Sequence, residues 1–368
     1  MGAINEIFRT FGPEFLSRNP ELPLAQIRVV EAMINCRTGE YGTAVYRCGG
    51  CGENHSIDRS CGNRHCPQCQ LHKCRQWLHQ QLSKTLPTDY FMITFTVTDT
   101  LRPFFLNHQK EAYGAIFRAA SEAIKKLAAD PRHIGADQAG FTGILHTWGR
   151  TMPYHPHLHF VVPAGGLSKD RREWLPARNS FYLPVKPLSR IFRAKLRDEI
   201  ERLGLLSATP PEAWETDWVV HCQPAGNAEA VFKYLAPYVF RVAISDRRIV
   251  AVKDRLVTFS YSKVGSRRKR KMTLEVMEFI RRFLLHVLPS GFMKVRHFGF
   301  MNHNCALALK NIRRLIIIRR KDLALLLADP RPEPPPPEPF KPFCRNCGAM
   351  LLFQFAILPQ RLGRAGPR

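Results

Sequence analysis

FTGILHTWGRTMPYHPHLHFVVP, residues 141–163, decides how this chain folds. It divides at the turn region Gly149–Pro153. Phe141 to Trp148 on one side and His157 to Pro163 on the other read as two strands. Alternate side chains of a strand face the same way. His157 and His159 therefore share one face, with Leu158 toward the other. Two imidazoles spaced i, i+2 on a rigid strand make a preformed edge of a divalent-metal site. The same pair can also serve only as hydrogen-bonding groups.

The neighbouring segments extend this pair of strands into a layer. Phe91 to Val97 reads as a buried strand and Ala112 to Ala128 as a helix. Pro187 to Leu205 and Asn227 to about Ala236 read as helices, with strand Trp218 to Cys222 between them. The order β-α-β-β-α-β-α predicts an α+β fold built on a split βαβ sheet layer. Upstream, Leu22, Leu24, Ile27, Val30 and Met33 fall near helical spacing. Downstream, a basic helix from Asn311 to Asp329 stops at Pro330, and Arg331 to Pro339 is a stiff polyproline linker. The expected organisation is an N-terminal helix and cysteine-rich domain over 1–87 and a catalytic-type domain over 88–305. A basic helix over 306–330 and a linker with a tail over 331–368 follow.

Lysine and arginine number 55 against 30 acids, a formal charge of +25. That surplus favours a polyanionic partner, since nucleic acid releases condensed counterions when basic groups bind it. The charge does not distinguish DNA from RNA. Residues Met1 to Arg9 carry acidic Glu6 and no apolar signal-peptide core. The most apolar window, Leu315 to Ile318, is bracketed by Arg313, Arg314, Arg319 and Arg320, so no membrane span is expected. The expected compartment is the cytoplasm, with reduced thiols and the nucleoid as the place of action. No phosphate-binding Gly-x-x-x-x-Gly-Lys-Ser/Thr pattern occurs, which sets ATP-driven chemistry aside.

In a reducing compartment clustered cysteines argue for metal rather than disulfides. Cys48-x2-Cys51 and Cys66-x2-Cys69 are separated by fourteen residues, with Gly49, Gly50 and Gly52 suited to tight knuckle turns. Each pair can set two thiolates on one side of a turn, and two pairs close a tetrahedral S4 site for structural Zn2+. Such a filled site supports a fold and leaves no position open for chemistry. Cys36, His55, Cys61, His65 and Cys74 lie near enough to replace a ligand or hold a second metal. Cys344-x2-Cys347, followed by Gly348, is half a knuckle with no second pair beside it. Two exposed thiols in a loose tail would look the same.

Tyr234 and Tyr238 stand at i, i+4 on the next helical segment, beside Lys233 and Arg241. Such a pair can be buried packing, but a tyrosine near a metal can also attack phosphorus. With these residues in view the resemblance is specific. His157-Leu158-His159 resembles the His-hydrophobe-His motif of HUH endonucleases. Tyr234 to Ser245 (YLAPYVFRVAIS) resembles the tyrosine helix of rolling-circle insertion-sequence transposases of the two-tyrosine HUH class, the IS-ninety-one type. Ser60 to Cys69 (SCGNRHCPQC) is similar to their zinc region. Glu278 to Pro289 and Arg296 to Phe300 are similar to their downstream block. The likeness runs in the same order from about residue 20 to 350.

The resemblance implies an HUH-type fold and single-stranded DNA as substrate, both at element ends and at the target. It implies Mg2+ or Mn2+ on His157 and His159, with a third ligand for which His155 is a candidate. Tyr234 would make the first cleavage through a phosphotyrosine and Tyr238 the second. The zinc region, Arg267–Lys271 and Arg313–Arg314 would hold the DNA backbone. One departure bears on Tyr238. Pro237 lacks an N–H and clashes with the preceding turn, so the helix is expected to kink or end there. A plasmid or phage replication initiator or relaxase would share this chemistry. A zinc-ribbon nucleic-acid-binding protein without catalysis is the reading of another class.

Overall fold

The computed structural model describes residues 2–178, 180–240, 243–263, 265–266, 268–320 and 341–359, with the side chains of 71, 72, 237, 238 and 240 outside that description. The polyproline linker, the distal part of the expected basic helix, Arg241 and Arg267 lie outside the described residues. The chain divides into two compact units that alternate along the sequence. One draws on the described parts of Met1–Gln76, Phe240–Val287 and Pro335–Arg368; the other draws on Trp77–Val239 and Leu288–Pro334.

The chain opens with helices α1 (Ala3–Arg18) and α2 (Leu24–Ile34), strands β1 (Thr43–Cys48) and β2 (Asn54–Asp58), and helix α3 (Gln70–Ser83). Strand β3 (Tyr90–Thr96), helices α4 (Arg102–Asn107) and α5 (Gln109–Ala129), and strands β4 (Phe141–Trp148) and β5 (Tyr154–Pro163) follow. A small pair, β6 (Gly165–Leu167) and β7 (Trp174–Pro176), leads to α6 (Val185–Arg202), β8 (Val220–Gly226) and α7 (Ala228–Phe240). Then come β9 (Ile249–Lys253), β10 (Leu256–Ser262), β11 (Lys269–Glu275), α8 (Val276–Leu284), β12 (Val295–Phe298), α9 (Leu309–Arg320) and β13 (Leu351–Ile357). None of the described helices is long and apolar enough to cross a membrane.

In the first unit α1 buries Ile4, Ile7, Phe8 and Phe15, one helical stripe, against α2 and α8. Phe8 meets Phe283 of α8 edge to face at 5.1 Å. The start of α8 is capped by Glu275, whose carboxylate accepts from the backbone N–H groups of Met277 and Glu278. Strands β9, β10 and β11 form a meander, and β13 pairs with β1 beside β2 in a three-stranded sheet. The meander was not legible in the sequence, because its strands are short and mostly exposed.

The second unit is built on a five-stranded sheet in the order β12-β4-β5-β3-β8, with every neighbour antiparallel. The expected alternation of strands and helices, and the α+β class, hold. One face carries Phe95, Phe141, Leu158 and Phe160 beneath α5 and α6. Phe95 packs on Phe192 of α6 at 4.8 Å, and Phe160 lies between Phe141 at 5.3 Å and Phe117 of α5 at 6.5 Å. Losing such a ring costs roughly 3–5 kcal/mol, so this aromatic layer fixes the strand register. Register in turn decides which side chains face the other way.

That other face carries the polar groups. The pairings Thr94↔His159, Thr96↔His157, His146↔His157 and Ile144↔His159 put Thr94, Thr96, His146, His157 and His159 on it together. Helix α7 sits at the Tyr90 end of the same face. Its Phe232 meets Tyr90 at 6.4 Å and Trp77 at 6.0 Å, both edge on. It buries Ala228, Val231, Phe232, Leu235, Ala236 and Val239, an i, i+3, i+4 stripe. Of the two outcomes expected at Pro237, a kink or an end, the helix does not end: α7 runs on to Phe240. The packed stripe on both sides of the proline offsets the one backbone hydrogen bond it removes.

Candidate metal centres and the tyrosine helix

On the polar face the ring nitrogens of His146, His157 and His159 offer ligand atoms that all lie within 4.8 Å of one another. Two of the rings are oriented by hydrogen bonds at Nδ1. His157 Nδ1 donates to the backbone carbonyl of His155 at 2.7 Å, which leaves the Nε2 lone pair free to ligate. His159 Nδ1 lies 2.9 Å from the Thr94 hydroxyl, so that ring too can present Nε2. Burial, the largest cause for each, depresses all three imidazole pKa values. His159 is lowered to about 4, and His146 and His157 fall well below their ordinary value. All three are therefore neutral near pH 7, as metal ligation requires. The donor set, three convergent neutral nitrogens with Nδ1 partners on two of them, fits a divalent transition metal such as Mn2+, and with oxygen ligands from substrate and water also Mg2+.

His155 does not join this group. Its side chain takes a hydrogen bond from Arg102 at 2.8 Å, and its backbone carbonyl serves His157. His146 stands where a third ligand was sought. In sequence it looks like one polar residue within a buried strand. Only the pairing His146↔His157 reveals it, and nothing in residues 141–148 alone gives that register. Thr94 was missed for the same reason.

Tyr234 projects from the exposed side of α7, at 54% exposure, next to Lys233, which pairs with Glu229 at 2.6 Å. Tyr238 is in the same helix, but its side chain lies outside the described residues. Of the basic groups expected to hold a polyanion, Lys269, Arg270 and Lys271 are exposed on β11. Arg313 is committed elsewhere: it donates to the carbonyls of Ser83 and Thr85, tying α9 to the end of α3. Arg296, from the downstream block, lies on the covered face with its guanidinium 4.4 Å over the Phe117 ring.

Eight of the eleven cysteines form two groups of four, Cys36 with Cys61, Cys66 and Cys69, and Cys48 with Cys51, Cys344 and Cys347. The sequence pointed to one site made of Cys48, Cys51, Cys66 and Cys69. The structure separates those two pairs and gives each a different second half. In the first group the sulfurs stand 3.7 Å (Cys36–Cys69), 3.5 Å (Cys61–Cys69) and 3.8 Å (Cys36–Cys66) apart. Four thiolates about 2.3 Å from a tetrahedral zinc would be about 3.8 Å from one another. Asn5 of α1 donates to Cys66 Sγ at 3.4 Å, as an outer partner of a thiolate should. Cys36 and Cys61, which the sequence offered only as neighbours able to replace a ligand or hold a second metal, complete this group; Cys36 lies 25 residues before Cys61, outside any knuckle spacing.

Residues 7–97 match the family described as "Transposase zinc-binding domain", and residues 140–308 match the family described as "Putative transposase". The first contains Cys36, Cys61, Cys66 and Cys69, and the second contains His146, His157, His159 and Tyr234. The class is therefore a transposase, a DNA-binding protein, with an N-terminal zinc-binding domain. Over 321 residues the chain is 38% identical to a relative titled "Putative transposase y4qJ" from Sinorhizobium fredii, covering 82% of this chain and 80% of the relative. Over 367 residues it is 27% identical to "Transposase for insertion sequence element IS801" from Pseudomonas savastanoi pv. phaseolicola, covering 90% and 84%. The chain belongs to the IS91-type family of insertion-sequence transposases. No solved structure matches it.

Proposed function

We propose that this transposase cuts and rejoins single-stranded DNA through a covalent phosphotyrosine, in rolling-circle transposition. The observation that carries the reading is the His146–His157–His159 cluster, neutral and convergent on one sheet face, with α7, the helix that carries Tyr234, packed through Phe232 on Tyr90 at one end of that face. A divalent metal on these nitrogens would supply charge to polarise the scissile phosphate. The chain's own part is positioning. The sheet holds the three rings, the Thr94 hydroxyl and the His155 carbonyl hold Nδ1 of His159 and His157, and α7 presents the nucleophile. The Tyr234 oxygen attacks phosphorus, the bond from phosphorus to the 3′ oxygen breaks, and the leaving 3′ oxygen takes a proton. The 5′-phosphotyrosine keeps the phosphodiester energy, so attack by a 3′-OH reverses the step and joins strands without ATP. The i, i+4 partner Tyr238 would carry the second cleavage. Exposed Lys269, Arg270 and Lys271 would contact backbone phosphates.

The test is His157→Ala with His159→Ala on a single-stranded oligonucleotide containing an element end. Cleavage in Mn2+ should disappear while DNA binding stays near wild type, because the phosphate contacts come from basic side chains elsewhere. Cleavage at the wild-type rate would make these histidines structural.

A further inference from the structure

We infer that Cys48, Cys51, Cys344 and Cys347 form a second zinc site, a zinc ribbon whose two halves come from opposite ends of the chain. Cys344 and Cys347 lie outside the matched zinc-binding domain. The observations are geometric. Cys48 and Cys347 sulfurs are 3.3 Å apart, and Cys51 and Cys344 sulfurs are 3.7 Å apart. These values are near the separation of about 3.8 Å set by tetrahedral Zn–S bonds, and far beyond the S–S bond of about 2.05 Å.

The two half-sites are also built alike. Each reads Cys-x-x-Cys-Gly: Cys48 to Gly52 and Cys344 to Gly348. In each the final glycine has a positive φ, +76° at Gly52 and +73° at Gly348, a conformation glycine adopts without strain. In each, that glycine's N–H donates to the carbonyl of the first cysteine, at 3.1 Å and 3.0 Å. In each, the N–H of the first cysteine donates to the residue five places on, Glu53 and Ala349, at 2.8 Å. The N–H groups of Gly50 and Cys51 point at Cys48 Sγ from 3.3 Å and 3.4 Å, the hydrogen bonds that stabilise a thiolate. The halves are joined by a bond from the Gly49 N–H to the Met350 carbonyl, 3.2 Å, and by the strands that leave them. β13 follows the second knuckle and pairs with β1, which enters the first, from Cys48↔Leu351 to Thr43↔Ile357. Two equivalent knuckles over a three-stranded sheet form one closed metal-binding unit.

His55 Nε2 lies 3.3 Å from Cys344 Sγ, so with zinc bound it would donate an outer hydrogen bond to that thiolate. The site's role follows from its place. Among the described residues of β13 only Leu351 is buried, so its side chains alone hold it weakly. Zinc would convert that contact into a permanent tie between residue 48 and residue 347.

The test uses the full-length protein and metal analysis after exhaustive dialysis. Wild type should hold two zinc ions per chain. Cys344→Ser with Cys347→Ser should hold one, as should Cys48→Ser with Cys51→Ser, and all four together should still hold one. Cys36→Ser with Cys61→Ser should lose the other ion and keep this one. Should a variant fail to fold, Co2+ reconstitution of wild type decides. Two equivalents with the visible and thiolate charge-transfer bands of tetrahedral S4 coordination support the inference. One zinc in folded wild type, a Cys344/Cys347 variant that keeps two, or a second Co2+ without thiolate bands would overturn it.

Discussion

His146→Ala removes the third nitrogen of the proposed metal site, the one that only the strand register reveals. The imidazole is buried on β4 opposite His157, its ring centroid 5.3 Å from that of His157 and 4.6 Å from that of His159. Removing an outer partner of a metal ligand weakens binding about 10–100-fold. Removing one of three direct ligands should exceed that, so the expected loss in metal affinity is at least about 100-fold, or about 2.7 kcal/mol at 1.36 kcal/mol per factor of ten. The assay is single-turnover cleavage of a single-stranded oligonucleotide across a wide Mn2+ range. His146→Ala should shift the half-saturating Mn2+ upward by that factor and recover part of its rate at high metal. His155→Ala should leave the Mn2+ dependence near wild type, because the group that holds His157 is a backbone carbonyl. A wild-type Mn2+ dependence for His146→Ala, or the large shift appearing in His155→Ala, would refute the reasoning.

The remaining predictions concern the frame around that cluster. Thr94→Val keeps the shape and removes the hydroxyl beside His159 Nδ1, so metal affinity should fall about 10–100-fold with little change in thermal midpoint; an unchanged Mn2+ titration would contradict this. His159 and His297 are both lowered to about 4, mainly by burial, from an ordinary 6.5. Above pH 6.5 these groups are neutral folded or unfolded. Below it the unfolded chain takes up protons that the folded chain refuses, so stability falls as pH drops from 6.5 toward 4, by up to about 1.4 kcal/mol per pH unit for each histidine. Denaturant midpoints without added divalent metal should therefore decline from pH 6.5 to 5, and a flat profile would show that these rings titrate normally in the fold. DNA affinity should fall steeply and linearly on a log–log plot against salt, and replacing Lys269, Arg270 and Lys271 with Gln should flatten that slope by about 2–3 units. An unchanged slope would remove β11 from the interface.

Some of this was legible along the chain and some only across it. The strand pair at 141–163 and the helices around it are local patterns, and their α+β order carried through to the sheet. His157 and His159 could be placed on one face because strand periodicity is a property of neighbours. Their third companion depended on which residue of β4 lies opposite, and the aromatic layer of Phe95, Phe141, Phe160 and Phe192 sets that register from several elements at once. The thiolates show the same limit. Knuckle spacing found Cys48–Cys51, Cys66–Cys69 and the half knuckle Cys344–Cys347, but it joined the first two pairs in one site, which the fold separates. Cys36 and Cys61 complete one group and the distant Cys344–Cys347 pair completes the other; only the fold brings that last pair near Cys48 and Cys51. From local helix energetics Pro237 is expected to kink or end the helix, and the helix does not end there. The buried stripe of α7 outweighs that cost.

The central claim is that Tyr234 attacks DNA, and the most direct measurement is the position of the covalent adduct. The protein is incubated with a single-stranded element end and Mn2+, digested, and the DNA-linked peptide sequenced by mass spectrometry. The account predicts phosphorus on Tyr234, an adduct absent in Tyr234→Phe, and a first adduct largely retained in Tyr238→Phe, in which complete strand transfer is impaired. Phenylalanine keeps the ring and removes only the hydroxyl, so loss would report chemistry and not folding. An adduct on Tyr238 alone would reverse the order of the two tyrosines, and an adduct on neither would contradict the phosphotyrosine mechanism itself.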